Sequence, residues 1–369
     1  MWQLFVEPND VLLFRDGKPF SAGEDHRAKS IFPPTPFTVQ GMIRAKVLFD
    51  SGISPADYAN QAPSASSLIQ QIGKPGADYG RLRIRGPFVV KRREDGTLVR
   101  YFPLPADVVE MDGKPVLLKP LPKHPFRSNA PLGSLLWHRT DKPLKEEREW
   151  LNEENWRRYL NGEEFSITEE SELLVREPRL GIALNYSRRS TQEGMLYQAE
   201  FLRLREGVGF LVQVDGIPRF NPGKGFLQLG GEARAVRYEV LEQLLPPLPI
   251  PDPLPSRFKV ILLTPAWFSE GWQPRNGDWK PFFSGDVQLV AGALRRAQAI
   301  GGAFVDDRRR QQNFQKVMRR FVPAGSVFFF ESKGQARWNK KSFTETPPRE
   351  GNFGQIGFGC VTITGWDGA

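Results

Sequence analysis

The run Phe88-Val89-Val90-Lys91-Arg92-Arg93-Glu94-Asp95-Gly96-Thr97-Leu98-Val99-Arg100-Tyr101-Phe102 decides how the chain reads. Apolar and β-branched residues flank an Asp-Gly pair, which supplies the positive φ angles of a tight hairpin turn. The pattern recurs around Asp112-Gly113, with Val108-Val109 before it and Val116-Leu117-Leu118 after it. A third candidate is Leu211-Val212-Gln213-Val214 running into Asp215-Gly216. Frequent hairpins mixed with helical segments predict an α+β fold rather than a doubly wound parallel sheet.

Outward from that run, Trp2 to Val6 reads as an opening strand. Thr38 to Phe49 has helical period: Met42, Ile43, Val47 and Leu48 fall on one face, with Arg44 and Lys46 off it. Pro36 and Thr38 suit its start. Leu144 to Glu177 is dense in glutamate and carries Trp150, Trp156 and Tyr159 at helical spacing, so an acidic amphipathic helical insertion is expected there. Lys259 to Pro265, Val327 to Phe330 and Cys360 to Thr364 read as strands by β-branched and aromatic content. Val287 to Ala299 reads as a helix. The run Pro246-Pro247-Leu248-Pro249-Ile250-Pro251-Asp252-Pro253-Leu254-Pro255 lacks backbone donors and favours extended geometry. It is expected to link an N-terminal part, 1–245, to a C-terminal part, 256–369.

With 369 residues, two domains are expected. The net charge of +9 points to a polyanionic partner, nucleic acid before a membrane surface. The single cysteine, Cys360, has no partner for an intrachain disulfide, and no apolar run approaches 18 residues. The first residues carry neither a basic stretch nor a long apolar one, so no signal peptide and a cytoplasmic location are expected.

Catalytic and cofactor motifs fail one by one. His26, His124 and His138 are far apart and match no metal-ligand spacing, so no metal and no cofactor are expected. The glycine-rich stretch Gly351 to Gly359 is followed by no Lys-Ser/Thr pair and precedes a strand, which excludes a phosphate-binding loop at a helix start. Its glycines would instead let backbone approach a ligand closely. Pro323-Ala324-Gly325-Ser326-Val327 is no nucleophile elbow. His26, beside Arg27 and Lys29, is the one residue that a general acid–base reading of RNA cleavage could use.

Basic clusters interleaved with aromatics carry more. Arg81, Arg83 and Arg85 would share one strand face, Lys91, Arg92 and Arg93 would lie near the first hairpin's turn, and Arg100 with Tyr101 and Phe102 continues the basic cluster. Further clusters are Arg188-Arg189, Arg308-Arg309-Arg310 with Lys316, Arg319 and Arg320, and Lys333, Arg337, Lys340 and Lys341 around Trp338. Cationic side chains neutralise phosphates and aromatic rings stack on unpaired bases, so single-stranded RNA is the expected ligand.

Several longer motifs then become legible together. Glu7-Pro8-Asn9-Asp10-Val11-Leu12-Leu13-Phe14-Arg15-Asp16-Gly17-Lys18-Pro19-Phe20 leads to Ser30-Ile31-Phe32-Pro33-Pro34-Thr35-Pro36 and Thr38-Val39-Gln40-Gly41-Met42-Ile43-Arg44. With Leu180 to Asn185, Glu193 to Tyr197, Gly230-Gly231-Glu232, Leu263-Thr264-Pro265-Ala266, Ile300-Gly301-Gly302, Val322 to Phe328 and the closing Gly357-Phe358-Gly359, this resembles the third-subunit family of the type III-B CRISPR Cmr effector complex, within the RAMP superfamily. The resemblance spans nearly the whole chain except the acidic region at 144–177.

That resemblance implies two ferredoxin-like (RRM-like) domains and a non-catalytic subunit that holds the 5′ tag of the CRISPR RNA. It implies contact with the large cyclase/polymerase-like subunit and with a backbone subunit, and only indirect contact with target RNA. Candidate RNA contacts are Arg27, Lys29, Arg44, Lys46, Lys91, Arg92, Arg93, Arg188, Arg189, Gly354, Gly357 and Gly359. The hairpin at 88–101 is a candidate wedge between nucleotides. A CRISPR-RNA processing endonuclease using His26 and a pure protein scaffold are the rival expectations.

Overall fold

A computed structural model of the chain describes residues 1–15, 27–76, 78–121, 131–140, 149–185, 190–303 and 315–367. The chain divides into two compact units. The first comprises Met1–Gly96, Ser171–Gln243 and Ala299–Arg319, and the second Thr97–Glu170, Leu244–Gln298 and Arg320–Ala369. The division expected at the proline run assigns Thr97–Glu170 to the N-terminal part. In the structure these residues lie with the second unit, where Asp107 and Tyr159 bond to Lys259.

In the first unit, five strands pair antiparallel: β1 (Trp2–Pro8), β2 (Arg83–Arg92), β3 (Val208–Asp215), β4 (Lys224–Gln228) and β5 (Ala235–Val240). Their order is β4-β5-β1-β3-β2. Helices α1 (Pro36–Asp50), α2 (Pro55–Ala59) and α3 (Ser66–Ile72) fill the crossover from β1 to β2. β1 and β2 therefore run parallel with β3 between them, a split βαβ arrangement. Seven of the eight residues of β3 are buried, as a strand covered on both faces requires.

The α1 helix begins where the sequence supplies a cap. Thr35 accepts a hydrogen bond from Thr38 N, and Pro36 takes the first helical position, where its missing N–H costs nothing. Met42 and Ile43 are buried, while Val47 and Leu48 pack against Tyr58, Leu68 and Ile72.

The second unit repeats the first-third-second strand core, with no α-helix among the described residues that join its first two strands. β6 (Arg257–Leu262), β7 (Phe283–Ala293), β8 (Val327–Trp338) and β9 (Val361–Gly365) lie in the order β7-β8-β6-β9, all antiparallel. Alternation along β8 sends Phe328 and Phe330 to one face and Phe329 to the other. The first face is an aromatic core: Trp279 stacks on Phe343 at 5.4 Å, and Phe258 on Phe330 at 5.3 Å. Burying each such ring stabilises the fold by about 1.5–3 kcal/mol. Helix α4 (Glu153–Asn161) is capped by Asn152, whose side chain accepts from Asn155 N, and ends at Gly162 in the left-handed region. Its Trp156 stacks on Phe102 at 4.5 Å.

The α+β class and the antiparallel sheets agree with expectation, and three local readings change. The predicted helix at 287–299 is strand β7, because Leu289, Ala291 and Ala293 are buried at alternate positions against β8. The predicted long acidic helix is only α4. Trp150, Trp156 and Tyr159 are buried, a strand begins at Leu174, and 141–148 lie outside the described residues. The Asp112-Gly113 hairpin forms, with both residues at positive φ, but Asp215-Gly216 closes none, since β4 pairs with β5 rather than with β3. No helix among the described residues is long and apolar enough to cross a membrane.

Candidate nucleic-acid interface

The most extended feature of the first unit is a ribbon of two antiparallel strands, Leu174–Asn185 and Ser190–Leu204. Twelve residues at about 3.3 Å each make it roughly 40 Å long. The two-residue strand Arg27–Ala28 runs parallel to Gln198–Ala199, strapping the basic loop to the ribbon. Ala28 packs with Val11, Leu13, Ala199 and Phe201. Ser30 locks the strap: its hydroxyl donates to Glu200 O at 2.5 Å, and Arg176 bonds both Ser30 O and the Glu200 carboxylate. Ala28 and Ser30 point inward, so the alternation of extended backbone leaves Lys29 between them exposed.

The ribbon's base is held by charge. Phe201 lies between two guanidiniums, Arg179 at 4.8 Å and Arg234 at 5.1 Å from its ring centre. Arg203 joins Glu177 to Asp10, and Arg179 also reaches Glu177 at 3.0 Å. Hydrogen bonds from Arg203 and then Arg179 hold the Glu177 carboxyl below its ordinary range. Arg188 and Arg189, which follow the first ribbon strand in sequence, lie outside the described residues, as does His26. Of Arg27 only the backbone is described.

The other predicted contacts divide sharply. Arg44 donates to Tyr58 Oη at 2.6 Å and to Lys74 O at 3.0 Å. Burial pushes the Tyr58 hydroxyl above its ordinary range against the pull of Arg44, so it stays protonated and donates to Gly73 O. Lys46 pairs with Asp50 at 2.6 Å and lies 5.8 Å from the rings of Phe220 and Tyr238. Arg92 sits 4.5 Å over Phe5 and bonds Glu239 at 2.7 Å. Burial acts to raise Glu239, but hydrogen bonds from Arg92 and Lys224 outweigh it and lower its pKa. Lys91 is half-buried and Arg93 is exposed at the turn beyond β2. Arg81, Arg83 and Arg85 are exposed while Leu82 and Ile84 are buried, the alternation expected of one charged face.

The glycine-rich loop folds onto its own unit. Gly357 O accepts from Thr264 Oγ1 at 2.7 Å, and a Cβ on Gly354 would lie 2.7 Å from Ser342 Cβ. Gly359, at φ +66°, would bring a Cβ within 2.7 Å of the Phe343 carbonyl. These glycines let two backbones of the second unit touch. The described residues hold no group of three or more His, Cys, Asp or Glu able to bind a metal ion.

Two features escaped the sequence. The ribbon was hidden because the sequence between its strands lacks Asn-Gly or Asp-Gly, leaving only the apolar runs on either side of Ser187-Arg188-Arg189-Ser190 as a signal. Arg100 read as part of a basic patch, yet it is 5% exposed and clasps Glu153 with two bonds and Pro246 O with a third.

A family model described as CRISPR-associated protein (Cas_Cmr3) matches residues 4–366. Among solved structures, a chain of the cryo-EM structure of the type III-B Cmr-beta bound to cognate target RNA and AMPPnP, state 1, shares the fold. It has 17% identity over 89% of this chain and 86% of that one, with a TM-score of 0.51. A chain of Cmr-beta bound to cognate target RNA gives 17% identity over 89% and 86%, with a TM-score of 0.47. A chain of the Csm3-Csm4 subcomplex in the type III-A CRISPR-Cas interference complex gives 11% over 91% and 94%, with a TM-score of 0.39. No curated protein matches the chain's sequence.

Proposed function

We propose, because the chain belongs to the Cas_Cmr3 family of CRISPR-associated proteins, that it is a non-catalytic RNA-binding subunit of a type III-B Cmr effector complex and holds the 5′ tag of the CRISPR RNA. The observation that carries this reading is the strapped ribbon: exposed Lys29 stands at the strap, and Arg188 and Arg189 lie in sequence between the ribbon's two strands. A long narrow ribbon with an exposed cation at its strap and arginines between its two strands in sequence suits a short single strand, gripping phosphates while bases splay against it. The contacts are Arg27, Lys29, Arg188 and Arg189, with Lys91 and Arg93 beside the turn after β2. Arg44, Lys46, Arg92 and the glycines Gly354, Gly357 and Gly359 act one step back, holding the scaffold, since their donors and close approaches are used within the fold.

The order fourth-first-third-second of the second sheet, and the first-third-second core of the first sheet with its fifth strand beside the first, support two ferredoxin-like units, the second with its crossovers filled by aromatic side chains instead of helices. In the complex the partners are the large cyclase/polymerase-like subunit and a backbone subunit, and target RNA is met only through them. The similar Cmr-beta structure was solved bound to cognate target RNA, which fits this setting.

The test is a tagged pull-down of the full chain from its host at two salt concentrations, with sequencing of bound RNA and mass spectrometry of bound proteins. Short RNAs sharing one 5′ end, recovered with other Cmr subunits and lost when Lys29, Arg188 and Arg189 become alanine, support the reading. Cmr subunits recovered equally with and without RNA make the chain a scaffold. RNA cleavage that His26→Ala abolishes while binding persists makes it an endonuclease.

A further inference from the structure

The second unit carries a solvent-open pocket of about 640 Å³, within the range of small-molecule sites. One wall is the sheet face that carries Arg257, Lys259 and Phe329. The Leu117–Pro120 and Leu160–Gly162 segments and the Trp366 region complete the lining. At the pocket lies a buried cluster: Lys259 Nζ donates to Asp107 Oδ2 and to Tyr159 Oη, both at 2.7 Å, and Tyr159 donates to Asp107.

An ammonium has three donors. Two are used, so the third N–H of Lys259 meets no oxygen acceptor among the described residues and has only the Tyr159 ring beside it, 4.2 Å from the ammonium, on a side chain 8% exposed. Asp107 is already neutralised by its partners. Arg257 stands two residues along the same strand, on the same sheet face, with its guanidinium 5.3 Å over Trp366; its Nε pairs with Glu331 at 3.1 Å, which leaves the two outer nitrogens for a ligand. Exposed Lys119 completes the cationic lining, and beyond Asp107 the only acid there is Asp367. Of the carbonyls at the end of α4, Leu160 O accepts from Thr364 Oγ1 and Tyr159 O from Gly162 N. The Trp366 N–H is likewise spent on Phe258 O and Phe330 O, which leaves its ring as an apolar wall.

We infer that this pocket binds a small oxyanionic ligand, a phosphate or carboxylate group on a compact molecule. Its oxygen accepts the third N–H of Lys259, and its body lies against Arg257 and Trp366. A cationic ligand would leave that donor unmet and face the guanidinium of Arg257 and the ammonium of Lys119. The site shares no residue with the ribbon and stands independently of the RNA reading.

Isothermal titration of the full chain with inorganic phosphate and, separately, with succinate tests this. One saturable site is expected for at least one of the two, weakened roughly tenfold or more by the double substitution Arg257→Ala, Lys119→Ala. That variant should keep the wild-type urea midpoint, because both side chains are exposed. Phosphate alone identifies a phosphorylated ligand, succinate alone a carboxylate. Absence of saturable heat with both, or binding unchanged in the double variant, or binding lost instead on Lys29→Ala, overturns the assignment.

Discussion

Lys259 and Asp107, 152 residues apart in sequence, form an ion pair at 2.7 Å in which neither side chain is more than 8% exposed. Burial and the neighbouring Asp107 charge push Tyr159 well above its ordinary pKa, so its hydroxyl stays protonated and bonds the carboxylate. Lys259→Met leaves that carboxylate buried without its cation, and about 3–5 kcal/mol of stability is expected to be lost. Lys259→Met with Asp107→Leu should recover most of it, since an apolar pair removes both charges. Denaturant unfolding of the full chain, followed by tryptophan fluorescence, compares the three proteins. Equal midpoints for the single and double variants would contradict this account.

Glu153 gives a pH-dependent handle. Burial acts to raise its pKa, but hydrogen bonds and charge from Arg100, then Arg157, outweigh this and hold it below the ordinary 4.5. A lowered folded-state pKa means its stabilisation is fully present above the ordinary value and fades as pH falls through the lowered one. The thermal midpoint of Glu153→Gln should therefore lie below that of wild type at neutral pH, with the gap closing in acid. A gap that stays constant down to pH about 3 refutes the linkage.

Lysine and arginine positions on this chain should separate into two kinds by salt dependence. Replacing Lys29, Arg188 and Arg189 by alanine is expected to flatten the dependence of log affinity for tag RNA on log salt by about 0.7 per lost phosphate contact. Arg92→Ala removes the Glu239 pair and the cation over Phe5, so it should lower thermal stability with the salt slope unchanged. Filter binding across a salt series, paired with melting curves, distinguishes the two kinds.

Gly359→Ala places a methyl group 2.7 Å from the Phe343 carbonyl at a φ of +66°. The expected cost is about 1–3 kcal/mol or more, seen as a lowered denaturation midpoint. Gly96→Ala has open space around its Cβ and bears only the strain of φ +83°, so it should cost less.

Local signals in the sequence were strong where a single physical cause acts over a few residues. Thr35 and Pro36 start α1, Asp112-Gly113 turns a hairpin, and the run Val327–Phe330 makes a strand whatever surrounds it. What failed depended on distant partners. Val287 to Ala299 carries small residues compatible with either period, and only pairing with β8 decides for a strand. Arg44, Arg92 and Arg100 look like free positive charge until the fold brings Tyr58, Glu239 and Glu153 against them. The family motifs were legible because they recur along the chain, whereas the ribbon's reach is a matter of geometry that no motif spells out.

β9 follows the other three strands of its sheet in sequence, which bears on how the protein is made. β9 is the neighbour of β6, the strand that also pairs with β8 inside the same sheet. While synthesis proceeds, β6 leaves the ribosome with one flank still bare, and it stays so until residues 361–365 follow. An apolar strand, buried from Phe258 to Leu262 in the finished protein, is thus exposed along one edge for that whole wait. Deleting Val361–Gly365 would make the wait permanent, and the product should gather into aggregates instead of a smaller folded protein.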